Sequence, residues 1–261
     1  MTNIMRTANP DVIFHLAALS PVRYSFEHPF QYQEANYLGS LNLIHSLMSL
    51  SDFGKRRLLA ASTAEVYGIQ GNRPFVEELP LRPTSPYAVS KAAMDMYLRM
   101  AARVFDLNCV IMRPANSYDR RRERDFIVEY LITSMLAGRR VYVGAPDSVR
   151  DYIHVDDHVE AYIRVAERET KPGEAFNFGS GRGISNRELA IRCSEITDFD
   201  ASDIEFGSYP PGYPMRPLVS DQPYIVLDST KAERILSWKP KIQLEDGLKM
   251  VAEYWRSRIS Q

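Results

Sequence analysis

Residues 12–18 read VIFHLAA. Apolar side chains fill nearly every position, without the alternation of a half-exposed strand. Strands covered on both faces read this way, and they belong to parallel sheets with helices on either side. The preceding residues, Thr2–Ala8, read as the last turns of a helix. Asn9-Pro10 closes it, because a proline disfavours helical geometry in the residue ahead of it. Toward the C-terminus, residues 30–50 carry apolar side chains at helical spacing, and RLLAAS (57–62) is a second buried strand. Ser85 and Pro86 supply a cap and a proline at the first helical position, opening a helix that runs to residue 105. CVIMRP (109–114) is a third buried strand. This alternation predicts a doubly wound α/β layer with parallel strands.

A layer of that kind normally starts with a strand, a glycine-rich turn and a helix. Here no glycine precedes Gly39. One strand–helix–strand unit takes about 30 residues and the first half of the fold needs two, so about 60 residues are expected ahead of Met1. In the strand order 3-2-1-4-5-6, VIFHLAA is strand 4. Without strand 1 it becomes an apolar, unpaired edge, which predicts self-association or a partner segment. The expected fold class is α/β, a truncated doubly wound (Rossmann-like) parallel sheet with a smaller α/β substrate domain.

The second half reads differently. A helix over 125–138 precedes a short strand, VYVG (141–144), and RDYIHVDDHVEAYIRVAE (150–167) leads into another helix. EAFNFGSGRG (174–183) is a strand and turn. Ser185 and Glu188 form a capping box. GSYPPGYPMRP (207–217) is a loop, and a strand at YIVLD (224–228) and two helices finish the chain. The domain boundary is expected near residue 115, with 1–115 as the remaining part of the dinucleotide-binding domain and 116–261 mainly the second domain, with some interleaving.

Bulk properties narrow the function. The 261 residues are 45% hydrophobic and 25% charged, with a formal net charge of −1. That balance is globular and gives no electrostatic footprint for nucleic acid or an anionic membrane. No apolar run is long enough to span a bilayer, and the N-terminus does not read as a secretory signal. The two cysteines, Cys109 and Cys193, read as buried thiols, which suits a reducing, cytoplasmic setting.

The strongest chemical signal is Tyr87-Ala-Val-Ser-Lys91. Spacing of four places both side chains on one helical face. A free tyrosine titrates near ~10; a neighbouring ammonium favours the phenolate and is expected to lower that value. Such a pair can exchange a proton with a substrate hydroxyl. Upstream, at a strand end where open α/β sheets bind ligands, lies STAEVYG (62–68).

Taken together, HLAA (15–18), STAEVYG, SPYAVSK (85–91), RPANSY (113–118) and RDYIHVDD (150–157) resemble the extended short-chain dehydrogenase/reductase family, and more narrowly its NAD-dependent nucleotide-sugar epimerases and dehydratases. The resemblance runs from residue 10 to residue 245. It implies oxidation of a sugar at C4, with Tyr87 taking the hydroxyl proton, Lys91 binding the nicotinamide ribose and Thr63 bonding the C4 oxygen. It implies that His15, Leu16, Ala17, Ala18, Ala61, Ser62 and Pro114 line the NAD cleft with Tyr87 and Lys91, and that Asn116, Arg150 and Arg216 hold the nucleotide sugar. NAD binding is expected to be impaired without the glycine loop. Full-length relatives pair through two helices that match 30–50 and 87–105, so a homodimer is expected.

Glu65 stands where dehydratases keep the carboxylate that removes the C5 proton, which tilts the reading toward an NDP-hexose 4,6-dehydratase. Ala64 departs from the aspartate acid of many dehydratases. A 4-epimerase, a sugar-nucleotide decarboxylase and an inactive relative that binds nucleotide sugar or a partner are the alternatives. Asp119-Arg120 replaces the family's usual Gly-Pro after Asn-x-Tyr. Most of the arginine-rich run 113–124 reads as a solvated loop.

Two stretches invite other readings. FGSGRG (178–183) lacks dinucleotide spacing and reads as a tight strand-to-helix turn. His154 and His158 share a helical face but have no third ligand, so no metal is expected; Asp156 or Asp157 is expected to cap the following helix.

Overall fold

The computed structural model describes residues 1–259 except Arg122, Asp125, 214–216, 218 and 219. The first sheet holds four parallel strands in the order β1-β2-β3-β7, from β1 (Val12–His15), β2 (Arg57–Ala61), β3 (Cys109–Pro114) and β7 (Glu174–Phe178). Alternate side chains of β2 serve opposite faces. Leu58 and Ala60 pack with Ile44, Leu47, Met94 and Leu98, whereas Leu59 packs with Val165, Phe176 and Trp238. Helices α1 (Thr2–Ala8), α2 (Tyr24–Glu27), α3 (Pro29–Tyr32), α4 (Gly39–Met48) and α5 (Pro86–Phe105) precede β3. Ser85 Oγ caps α5 by accepting from the Ala88 N–H at 3.1 Å, with Pro86 at its first position.

The later chain builds a smaller mixed sheet, β10-β6-β4 with β8 antiparallel on β6, from β4 (Asn116–Tyr118), β6 (Val149–His154), β8 (Gly183–Ser185) and β10 (Tyr224–Ile225). A parallel pair, β5 (Val141–Val143) and β9 (Ile204–Phe206), stands beside it. Leu131, Cys193 and Trp255 share a second core carried by α6 (Ile127–Leu136), α8 (Asn186–Thr197) and α10 (Leu244–Ile259). Between the sheets run α7 (Val155–Glu167) and α9 (Thr230–Leu236), whose Val165 and Leu236 lie in the core under β2. No described helix is long and apolar enough to cross a membrane. Cys109 and Cys193 are buried free thiols.

Several local expectations need correction. The strand at VIFHLAA stops at His15, and its side chains are not covered on both faces: Val12 is 37% and Phe14 43% exposed. Among the described residues its strand partner is β2 alone, so β1 lies at the edge of the sheet. The helix over 30–50 is interrupted by a π-helical stretch, Gln33–Leu38. Its side chain Asn36 is fully buried, bonding Leu19 N, Leu19 O and Ser90 Oγ at 2.8–3.0 Å. The cap of α7 is His154, whose Nδ1 accepts from the Asp156 N–H at 3.2 Å, rather than either aspartate. Asp157 instead accepts from the Lys241 and Ile242 N–H groups, tying α7 to the entry of α10.

Candidate active site

At the end of β2 the chain turns sharply. Thr63 is extended, and its hydroxyl accepts from the Glu65 N–H at 3.3 Å, capping a short 3-10 turn over Ala64–Tyr67. Gly68 closes that turn at φ +63, where a Cβ would collide with the Arg82 carbonyl, so only glycine fits. This turn brings Glu65 to the wall of a cleft of about 750 Å³ that also takes Thr63, Tyr87 and Lys91. The Glu65 carboxylate is fixed by Gln222, whose Nε2 donates to Oε2 at 2.8 Å.

Tyr87 lies in the first turn of α5 and Lys91 one turn on; both are buried. Lys91 Nζ donates to the Ala61 carbonyl at 2.8 Å. Burial pushes the Tyr87 phenol up to about 12; a hydrogen bond with Thr63 opposes this, Glu65 adds to it and Arg120 opposes it. The expectation that Lys91 lowers the Tyr87 value therefore needs correction: desolvation prevails, and the opposing cation is Arg120. Burial lowers Lys91 itself to about 8.

The other sequence candidates divide. Leu16, Ala18, Ala61, Ser62 and Pro114 line the cleft, as do Asn116 and Arg150. His15 and Ala17 do not; His15 Nε2 instead bonds Ser40 Oγ at 2.7 Å. Burial, then the charge of Lys91, lowers His15 to about 4, so it is neutral at pH 7. Arg150 is buried in the wall and paired with Asp221 at 2.7 Å. Arg216 lies outside the described residues.

The arginine-rich run is not mainly a solvated loop. Arg113 is fully buried in a two-pronged pair with Asp95 of α5, at 2.9 and 3.0 Å. Arg120 is half-buried in the cleft wall. Neither Arg120 nor Gln222 carried a sequence signal as a site residue. Arg23 was missed as well. It lies in the same wall, its guanidinium between the Tyr24 and Tyr213 rings, and donates to the Tyr213 hydroxyl at 2.7 Å.

The turn at FGSGRG is filled from within. The Asp151 carboxylate accepts from the Ser180, Gly181 and Leu227 N–H groups and from the Ser180 hydroxyl. An anion-binding nest is thus occupied by the protein's own anion. Among the described residues, no three His, Cys, Asp or Glu side chains come together as a metal site. His158 Nδ1 bonds Ser117 Oγ, and burial holds His158 at about 3.

A parallel doubly wound sheet with Tyr87, Lys91 and Thr63 converging at its C-terminal edge defines an oxidoreductase-like site of the short-chain type. Residues 1–251 match the profile of the GDP-mannose 4,6 dehydratase family. The chain is 32% identical to UDP-glucose 4-epimerase of Mycolicibacterium smegmatis, over 99% of this chain and 80% of that protein. It is 33% identical to dTDP-glucose 4,6-dehydratase of Streptomyces griseus, over 97% of this chain and 74% of the relative. A solved dTDP-glucose 4,6-dehydratase from Streptomyces venezuelae, with NAD bound, superposes at a TM-score of 0.87 and 28% identity, covering 100% of this chain and 78% of that one. The chain belongs to the extended short-chain dehydrogenase/reductase family of NAD-dependent nucleotide-sugar epimerases and dehydratases.

Proposed function

We propose that this protein converts a nucleotide-linked hexose through a 4-keto intermediate, as an NDP-hexose 4,6-dehydratase. The observation that carries the reading is Glu65, a carboxylate two residues past Thr63 on the cleft wall and held in place by Gln222.

The residues present suit NAD. Ser62 Oγ is buried without a hydrogen-bond partner among the described residues, beside Lys91 Nζ and the apolar Leu16 and Ala18. A polar pair on an apolar wall fits the nicotinamide ribose. NAD, when bound, supplies a hydride acceptor and donor. Tyr87 receives the C4 hydroxyl proton while Thr63 orients that oxygen. Glu65 then takes the C5 proton, made acidic by the adjacent C4 carbonyl, and passes it to the C6 oxygen, which leaves as water. NAD would carry the C4 hydride to C6; Tyr87 gives up the proton it took as one returns at C5 from solvent, so the net change is the loss of one water.

Ala64, which cannot donate a proton to the leaving hydroxyl, favours a second reading, a 4-epimerase. Incubating the protein with NAD and each NDP-hexose separates the two. A 4-keto-6-deoxy product, abolished by Tyr87→Phe and lowered about 100-fold by Glu65→Gln, supports dehydration. Interconversion of C4 epimers, unaffected by Glu65→Gln, overturns it.

Further assignments go with this reading. Residues 1–115, joined by β7, serve the cofactor side, and 116–261 mainly the nucleotide-sugar side. A cytoplasmic setting suits the two buried thiols. Exposed Phe30, Val89 and Met96, on or beside the two helical segments, suit a homodimer.

A further inference from the structure

Arg120 occupies an unusual position for a charged side chain. Its backbone N–H donates to Glu129 Oε1 at 2.7 Å and its Nε to the Ser117 carbonyl at 3.1 Å. The guanidinium lies 3.8 Å over the Phe126 ring. Both terminal nitrogens are thereby left without a hydrogen bond among the described residues, and no described carboxylate comes within ion-pair distance of them. Arg150, in the same wall, is already paired with Asp221. A half-buried cation with no counter-ion among the described residues is unfavourable, and burial outweighs the nearby Glu129 in lowering the pKa of Arg120.

The backbone is also strained to place it. Asp119 is held at φ +72, a left-handed conformation that suits the glycine usual at this point of the motif and costs an aspartate some free energy. Strain of this kind collects at ligand-binding positions. Arg120 shares the cleft wall with Tyr87 and Asn116, and its charge acts on Tyr87. It thus stands toward the reacting end of the cleft.

We propose that Arg120 is a specificity-determining residue whose guanidinium edge, unbonded among the described residues, grips a pair of anionic oxygens on the nucleotide sugar, near the hexose. Two groups offer that chemistry: the sugar-proximal phosphate, or a carboxylate on the sugar itself. A planar fork of donors suits either. The inference rests on the nucleotide-sugar reading above.

Calorimetric titration of the full chain tests it without turnover. Binding of UDP, dTDP, GDP and CDP first identifies the base. The wild type, Arg120→Gln and Arg120→Lys are then titrated with the preferred diphosphate, its neutral hexose and its hexuronate, with the exposed neighbour substitution Arg121→Gln as reference. Arg120→Gln is expected to weaken binding about tenfold, with Arg120→Lys between it and the wild type. An equal loss with the bare diphosphate and both sugars assigns the phosphate; a loss confined to the hexuronate assigns the carboxylate. Unchanged affinity for all three in a variant with wild-type melting temperature overturns the role of Arg120 and leaves the nucleotide-sugar reading standing. Failure of the wild type to bind any nucleotide overturns both. If Arg120→Gln does not fold, Arg120→Lys with wild-type affinity for all three, including the hexuronate, overturns the need for the fork.

Discussion

Glu129, in the first turn of α6, is fully buried, and one of its carboxylate oxygens has no partner among the described residues. Burial raises it to about 7, against hydrogen bonds from the Arg120 and Asp119 N–H groups and the charge of Arg120. An acid raised on folding binds its proton more tightly in the folded state. Its contribution is therefore fully present below the unfolded value of 4.5 and is lost as pH rises through 7. That amounts to at most about 3 kcal/mol. Glu129→Gln keeps the acceptor and removes the titration. Thermal melts from pH 4 to 8 should show the wild type losing stability relative to this variant between about 4.5 and 7; parallel curves would refute the assignment. That Tyr87 and Lys91 meet in one cleft was legible because helical spacing of four puts them on one face, whereas Thr63 came only with the family resemblance. Gln222 could not be found, because it meets Glu65 across 157 positions through tertiary folding alone. Arg120 was hidden beside Arg121 and Arg124, which are exposed.

At the scale of elements, the pair Arg113–Asp95 ties β3 to α5 and so helps fix the helix that carries Tyr87. Both side chains are wholly buried. Asp95 also takes Arg99 at 3.0 Å. Removing one partner of a buried pair strands the other charge, so Asp95→Ala is expected to cost about 3–5 kcal/mol, measured by urea unfolding. A loss under 1 kcal/mol would show the pair to be dispensable. The sequence predicted the helices and strands well where apolar spacing was continuous. It missed the π-helical stretch at Gln33–Leu38, because its cause is the buried Asn36 side chain bonded to Leu19 and Ser90, and helical periodicity does not register that. It overran β1 because Leu16 and Ala18 are apolar for the sake of a cleft rather than a sheet. It gave the α7 cap to an aspartate because composition cannot tell which polar side chain points back at the helix.

For the whole molecule, two sets of exposed apolar side chains bear on association. Val12 and Phe14 line the open edge of the first sheet, while Phe30 at 83% and Met96 at 62% exposure stand on α3 and α5. Apolar patches of this kind mark contact surfaces, and an unpaired edge is a template for a strand. The two can be told apart by light scattering across a concentration series. Phe30→Lys with Met96→Lys should yield monomer if the helices carry the homodimer; association that survives this change but yields to Phe14→Lys would place the contact on the edge.

The order β1-β2-β3-β7 also carries a consequence for synthesis. The fourth strand of the first sheet is contributed after two of the second sheet's four strands have been made, and Gln222 comes later still. A nascent chain emerging from the ribosome can build β1 to β3 early, but that sheet stays open until residue 178 has cleared the exit tunnel. Glu65 receives its hydrogen bond only when residue 222 follows. Long-range pairings of this kind form slowly, so the unfinished sheet is exposed for most of translation. The wall of the candidate site is among the last parts of the chain to be completed, because a chain that stops short of residue 222 leaves the Glu65 carboxylate without its bond to Gln222.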